Sequence, residues 1–447
     1  MNLITSIPLD SEKNCSIPPL LKSYVQDVRK PKLKKLNTQS LITKLLHPRN
    51  GLKVFSSLLL LIYAVIPACI FIFFNPQPFF LKLSILTCLS VAFMWMGSLM
   101  PLLDVQFKAR ARRITISSNL FHTTTWIIFL VFVAVTLITA PSIPLISAFQ
   151  GGSADALSQE RGDFLKGRAG PAMALSYIST ILVSTLLPYS VVLLYAGKSR
   201  FRHLLAGLFF LYCISFLAKS LFLNLIFPLL AYLAIVNKLG KKTIAIALIG
   251  TVLILIIGTV LSMGGANDTG INVVSTGAEY MSAVYVPTNP LDYFIWRAFA
   301  VPIYTASDTL FVHAQQFGDQ LLMGATSNLL SSIFGLERIN LERYVFEYQF
   351  GGWNETANAN AVFLVDAYAN FGYTGVIIFS LIVGQIFRWF RLSVDLGFKS
   401  LWPLFAFILF NASLIGMLLS NGFIYMLFHA IYIRCRTNEE KIIKILG

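Results

Sequence analysis

Long runs of apolar residues, separated by short basic clusters, decide what this chain can fold into. Runs of about 20 apolar residues recur from Val54 to Ile433, and each is long enough to cross a hydrocarbon layer as one helix. Such a segment must satisfy its own backbone hydrogen bonds in lipid, which leaves helix as the economical choice. Only 12% of the residues are charged and the mean hydropathy is +0.72, against roughly 25% charged residues in soluble domains. The sequence therefore predicts an all-α polytopic integral membrane protein. Its formal charge of +15 does not point to nucleic acid, because Lys and Arg sit between the apolar runs, as expected of cytoplasmic loops.

In chain order, residues 1–53 read as a basic cytoplasmic tail, partly disordered and broken by Pro18, Pro19, Pro31 and Pro48. Spans are expected at Val54–Phe74, Phe79–Leu103, Leu120–Ala140 and Pro171–Tyr195. The run from Leu204 to Val236 has 33 residues. At 1.5 Å per residue that is about 50 Å, too long for one crossing. It splits into two helices with an outside turn at Ala218-Lys219-Ser220. A seventh span covers Thr243–Met263 and an eighth covers Thr374–Phe390. Leu401–Ile433 divides again at Ser420-Asn421-Gly422. The expected organisation is a seven-helix membrane domain at 54–263, a large outside loop at 264–373, a three-helix membrane domain at 374–434 and a cytoplasmic tail at 435–447. That makes about ten transmembrane helices with both termini in the cytoplasm. On this topology 27 of the 35 Lys and Arg lie inside, the asymmetry that sets orientation.

The 264–373 segment carries ten of the chain's twenty acidic residues but only three basic ones, Arg297, Arg338 and Arg343. Leu291–His313 is aromatic-rich and reads as a helix at the membrane interface, which Pro302 should kink or restart. Gly351–Glu355 reads as a turn, and Ala357–Phe371 as a helix feeding the eighth span.

Outside the membrane stand eight cations: Lys82, Arg161, Lys166, Arg168, Lys219, Arg297, Arg338 and Arg343. Lys82 reads as a topological anchor. Lys219, in a turn at the membrane surface, is placed to meet the phosphates of an embedded lipid; the alternative is a lysine that snorkels. Arg161 and Arg168 suit a pyrophosphate better than Lys166, because the guanidinium fork matches phosphate oxygens. Arg297, Tyr304 and Asp308 stand at i, i+7 and i+11, one face of a helix. Arg338 with Glu342, and Arg343 with Glu347, are spaced as ion pairs, and either arginine could instead clamp a phosphate. Asp308, Glu355, Asp366 and His313 are the candidates for proton transfer. Gly197-Lys198-Ser199 lacks the upstream glycine of a phosphate loop, and the five cysteines show no metal spacing.

Three features together give the chain its resemblance to a family. One is the basic residue in a tight outside turn within a long double span, Leu217-Ala218-Lys219-Ser220-Leu221. Another is the basic outside loop Glu160–Arg168 after the third span. The third is a dominant late loop ending in Ala357-Asn358-Ala359-Asn360-Ala361 and Ala369-Asn370-Phe371-Gly372-Tyr373-Thr374-Gly375. Over Leu58–Ile433 this layout resembles bacterial O-antigen and related oligosaccharide repeat-unit polymerases, glycosyltransferases that use a lipid-linked donor. The resemblance implies a GT-C-like architecture in the bacterial cytoplasmic (inner) membrane. It also implies joining of undecaprenyl-diphosphate-linked oligosaccharide repeat units into O-antigen, capsule or exopolysaccharide at the outer face. Membrane lipids and a chain-length regulator protein are the implied partners, with no cofactor, metal or nucleic acid. Arg161, Arg168, Lys219, Arg297, Arg338 and Arg343 would then hold the diphosphates. An O-antigen ligase shares the layout and donor. A polysaccharide or lipid transporter would instead distribute polar residues through repeated halves.

Overall fold

The computed structural model describes residues 41–108, 114–140, 142–152, 154–165, 173–215, 220–263, 279–285, 287, 289–351, 357–359 and 362–436. The expectations for the tail at 1–40, for Lys166, Arg168 and Lys219, and for Glu355 with most of its turn fall outside these residues. Within them the chain is mostly helical. Six helices are long and apolar enough to cross a membrane: α1 (Pro48–Phe73), α2 (Pro78–Leu99), α3 (Ser118–Thr139), α5 (Ala174–Ala196), α8 (Lys241–Met263) and α11 (Phe363–Leu392). The short helix α4 (Ala154–Leu165) lies between α3 and α5. The helical part of α1 begins at Pro48, so residues 48–53 belong to it rather than to the tail.

The two long apolar runs do break, but into shorter pieces than expected. The first gives α6 (Arg202–Ser215) and α7 (Leu223–Ile235), of 14 and 13 residues. The second gives α12 (Trp402–Leu409), α13 (Leu414–Leu419) and α14 (Phe423–Tyr432), of 8, 6 and 10 residues. Its break at Ser420-Asn421-Gly422 is present, with Gly422 at φ +72°. A second break at 410–413 was not signalled by composition. At 1.5 Å per residue α6 and α7 each reach about 20 Å, against a core of about 30 Å. One feature departs from an all-helical reading: β1 (Ile114–Ser117) pairs in parallel with β2 (Ile433–Arg436).

The closest packing is between α2 and α11. A Cβ on Gly97 would collide with the carbonyl oxygen of Leu381, and one on Gly384 with that of Met94. Backbones approach this closely where small residues line the contact, the usual device for packing apolar helices in lipid. Ser90 and Ser380 share a hydrogen bond of 2.7 Å across the seam, and the Gln385 amide donates to the Met100 carbonyl at 2.6 Å. At one end Arg388 grips Asp104, with Nε 2.8 Å from Oδ1, and donates to the Ser98 carbonyl at 2.9 Å.

Two spans contain a wide turn just ahead of a proline, Leu61–Val65 before Pro67 and Leu182–Leu186 before Pro188. Proline has no N–H to give the preceding turn, so carbonyls are freed, and in lipid they need donors. Neighbouring helices provide them. Thr87 donates to the Tyr63 carbonyl at 3.0 Å and Ser84 to that of Ala64 at 2.9 Å, while the Asn224 amide donates to that of Val183 at 3.2 Å.

The 264–373 region is helical where described. Helix α9 (Pro290–Phe317) starts at Asn289, whose side chain accepts from the Asp292 N–H, with Pro290 in the first turn; Gly318 at φ +59° ends it. It runs through Pro302 as one helix, so the chain does not restart there. The residue four positions earlier, Ala298, is small and exposed. The second half of α9 is not a surface helix. Ile303, Tyr304, Thr305, Ala306, Ser307, Leu310, Val312 and His313 are all buried against α2, α11 and α10 (Leu341–Phe350).

Helix α11 breaks at Gly372, with φ +63° and ψ −152°, a conformation that only glycine adopts readily. The expected feeder helix therefore starts at Phe363, not Ala357, and the span follows the break. The break removes the partners of the Ala369 and Asn370 carbonyls. The N–H groups of Leu322 and Met323 take their place at 3.0 and 2.9 Å.

Candidate functional site

Three polar groupings form in the 264–373 region. The first lies along α9 and includes a residue of α4. Arg161 of α4 anchors its Nε on the Leu157 carbonyl at 3.0 Å. Burial lowers its pKa from the ordinary arginine value; Tyr293 acts in the opposite sense, and the nearby charge of Arg297 lowers it further. Two cations separated by 136 positions in the sequence thus share one neighbourhood, and Arg297 itself is exposed. Two turns on, Tyr304 is buried and its hydroxyl has no hydrogen-bond partner among the described residues. Its pKa is raised, chiefly by burial, with Arg297 opposing and Asp308 and Tyr293 reinforcing the rise.

Asp308, one turn beyond, receives a hydrogen bond of 2.7 Å from the Gln349 amide of α10, which also reaches the Thr305 hydroxyl at 3.3 Å. Desolvation pushes the Asp308 carboxyl up to about 6, against the opposing effect of Gln349. A carboxylate near that value is suited to accept a proton at neutral pH. Trp296, Tyr280, Tyr285, Tyr293 and Tyr304 pack beside this row. The Tyr285 hydroxyl donates to Asp292 at 2.7 Å, which lifts its pKa to about 12.

The second grouping centres on the turn after α9. Lys82 of α2 stands 3.3 Å from Asp319 and 4.4 Å from the centre of the Tyr368 ring. His313 Nδ1 is 3.6 Å from the same carboxylate, and its Nε2 is 2.9 Å from the Gln320 carbonyl. The third ties the 322–326 turn to the start of α11. Thr326 donates to Asp366 at 3.0 Å, the Asn370 amide donates to Thr326 at 2.7 Å, and the Gly324 N–H donates to the Asn370 side chain at 3.0 Å. One oxygen of Asp366 is buried without a partner among the described residues.

The structure thus brings Arg161, Arg297, Tyr304 and Asp308 into one row and distributes the other candidates elsewhere. Arg343 pairs with Glu347 at 2.6 Å, as its spacing implied. Arg338 is exposed, and its expected pair with Glu342 does not form. His313 and Asp366 belong to the turn contacts on either side of 318–326, where His313 meets the Gln320 carbonyl and the Asp366 carboxylate accepts from the Thr326 and Asn370 side chains. Sequence reasoning missed Tyr293, which at four residues before Arg297 could have been found from helical spacing. It also missed Gln349, Lys82 with Asp319, and Asn370 with Thr326, pairs separated by 41, 237 and 44 positions; no local pattern marks them. No family model, curated protein or solved structure matches this chain.

Proposed function

We propose that this chain is a glycosyltransferase that joins oligosaccharide repeat units carried on undecaprenyl diphosphate. It would act at the outer face of the bacterial cytoplasmic membrane, with both termini inside and a GT-C-like arrangement of about ten membrane helices. The observation that carries the reading is that Arg161 lies close enough to feel the charge of Arg297, at the head of the row that leads through Tyr304 to Asp308. The reaction breaks the bond between the donor's anomeric carbon and its diphosphate. Negative charge grows on the leaving oxygen, and fixed cations favour the transition state over the ground state. A carboxylate of raised pKa takes the proton of the attacking sugar hydroxyl.

Distances along α9 suit this division of labour. Eleven residues put the backbones of Arg297 and Asp308 about 16 Å apart. A phosphate, the anomeric carbon and the incoming hydroxyl span that gap once the long arginine side chain is extended. The half-buried tyrosines beside it supply apolar faces with hydroxyl edges, which suits sugar rings. Arg343 is committed to Glu347, so it contributes to structure, and Arg338 has no part in the row.

The test compares Arg297→Ala, Arg161→Ala and Arg338→Ala in cells, reading surface-polysaccharide chain length and protein level. The first two should cut polymer by about 10²–10³-fold, the range for removing one fixed electrostatic contact. Arg338→Ala should leave chain length unchanged. Normal polymer in both Arg161→Ala and Arg297→Ala would remove the row from the reaction.

A further inference from the structure

A cavity of about 600 Å³ lies away from this row, where α3 passes the end of α5 and the start of α6. Its walls are two-sided in character. Trp126, Ile127, Leu130, Leu193 and Leu205 form an apolar wall, and Ile127 and Leu130 keep about half of their surface exposed. The other end is polar, with Asn119, His122, Thr123, Ser199 and Arg200. Among the described residues no carboxylate lines it. Arg200 is exposed, rests its guanidinium 4.5 Å from the centre of the Phe201 ring and has no ion pair among the described residues. The polar interior is fixed rather than incidental. Ser190 accepts from the Trp126 indole N–H at 3.0 Å and lies 2.8 Å from His122 Nδ1. When Ser190 donates to Nδ1, His122 keeps its Nε2–H as a donor on a ring that lines the cavity.

Volume, charge and opening together specify an occupant. A wholly apolar filler would leave the ring of hydroxyl, amide and imidazole groups without partners, a cost a site of this kind does not carry. A small soluble anion would leave the apolar wall unused. The cavity also adjoins a basic stretch, Lys198, Arg200, Arg202 and His203, of the kind that draws anionic headgroups to a membrane surface. We infer that this cavity holds an anionic phospholipid, its phosphate facing Arg200 and the polar end, its acyl chain running along Ile127 and Leu130. The site is independent of the proposed glycosyl transfer, since none of its residues belongs to the α9 row.

The experiment uses the full chain in nanodiscs with equal amounts of phosphatidylglycerol and phosphatidylcholine. A photo-crosslinking amino acid replaces Ile127 in one sample and Leu248, which faces outward from α8, in another. Mass spectrometry reads the lipid captured. The Ile127 probe should capture phosphatidylglycerol over phosphatidylcholine by about fivefold, the bias expected of one surface cation, while the Leu248 probe should report the bulk ratio. Arg200→Ala should bring the Ile127 ratio to the bulk value, and Arg200→Lys should restore most of it. Arg200 is exposed, so neither change removes a packed side chain. Equal capture of the two lipids at Ile127, capture of no lipid there, or a bias that persists in Arg200→Ala would overturn the proposal.

Discussion

At the scale of single residues, burial alters one carboxylate of α9 in a way that suits proton transfer. Asp308 loses water and gains one hydrogen bond from Gln349, and its carboxyl rises to about 6. Its folded-state value thus lies above its unfolded one, so between roughly pH 4 and pH 6 the native state binds the extra proton. Stability falls as pH rises through that window. Asp308→Asn should lessen this fall, measurable as thermal stability across the window in detergent. The same variant should lose about 10²–10⁴-fold in transfer rate, the usual worth of a positioned general base. In the parent protein, the proposed transfer activity should rise with pH through about 6. A variant that keeps full activity and the parental pH profile would show that Asp308 takes no proton. Asp366 reads differently from the same sequence signal. Its oxygen is used by Thr326 and Asn370 to hold the 322–326 turn, which makes it a positional residue in the fold.

At the scale of elements, the α2–α11 seam joins the membrane part to the 264–373 region, because α11 carries Asp366 and Asn370 before Gly372 and the packed glycine after it. Gly384 meets backbone rather than a movable side chain, so Gly384→Val cannot be accommodated without separating the helices. It should destabilise the protein by about 1–3 kcal/mol or more, as overpacking does, and lower the folded yield. Gly207→Val, at a position open to space, is the control. Equal yields from both would contradict the packing described. Much at this scale was legible in the sequence. Apolar length and flanking charge placed five of the six long helices to within three residues at most ends, and the breaks near Ser420-Asn421-Gly422 and after Phe371 were marked by glycine. What could not be read was tertiary. A proline inside α9 falls where the residue four positions earlier, Ala298, is small and exposed. Gln349 finds Asp308, and Lys82 finds Asp319, only because distant helices are packed together. The resemblance grouped Arg161 and Arg297 with four other cations around the diphosphates, but no local pattern singled out these two as neighbours.

At the scale of the whole chain, several long-range contacts agree on which ends share a side. The parallel strands bring the start of α3 beside the end of α14. Arg388, at the end of α11, holds Asp104 just after α2, and the Trp402 indole donates to the Leu46 carbonyl at 3.0 Å. Lys82 at the start of α2 meets Asp319 of the large region. These pairings match the alternation expected from the charge distribution. In a cysteine-free background, Ser332→Cys should react with a membrane-impermeant maleimide in intact cells, and Lys242→Cys only after the membrane is opened. The reverse pattern would invert the molecule and place the arginine row in the cytoplasm.

Glycosyl transfer can be assayed on the isolated protein. Purified protein in detergent is given a single undecaprenyl-diphosphate-linked repeat unit as both donor and acceptor, and the products are resolved by length. The parent protein should give a ladder of lipid-linked oligomers, and folded Arg297→Ala almost none. Folded parent protein that leaves the repeat unit unextended, or an equal ladder from Arg297→Ala, would contradict the proposed function.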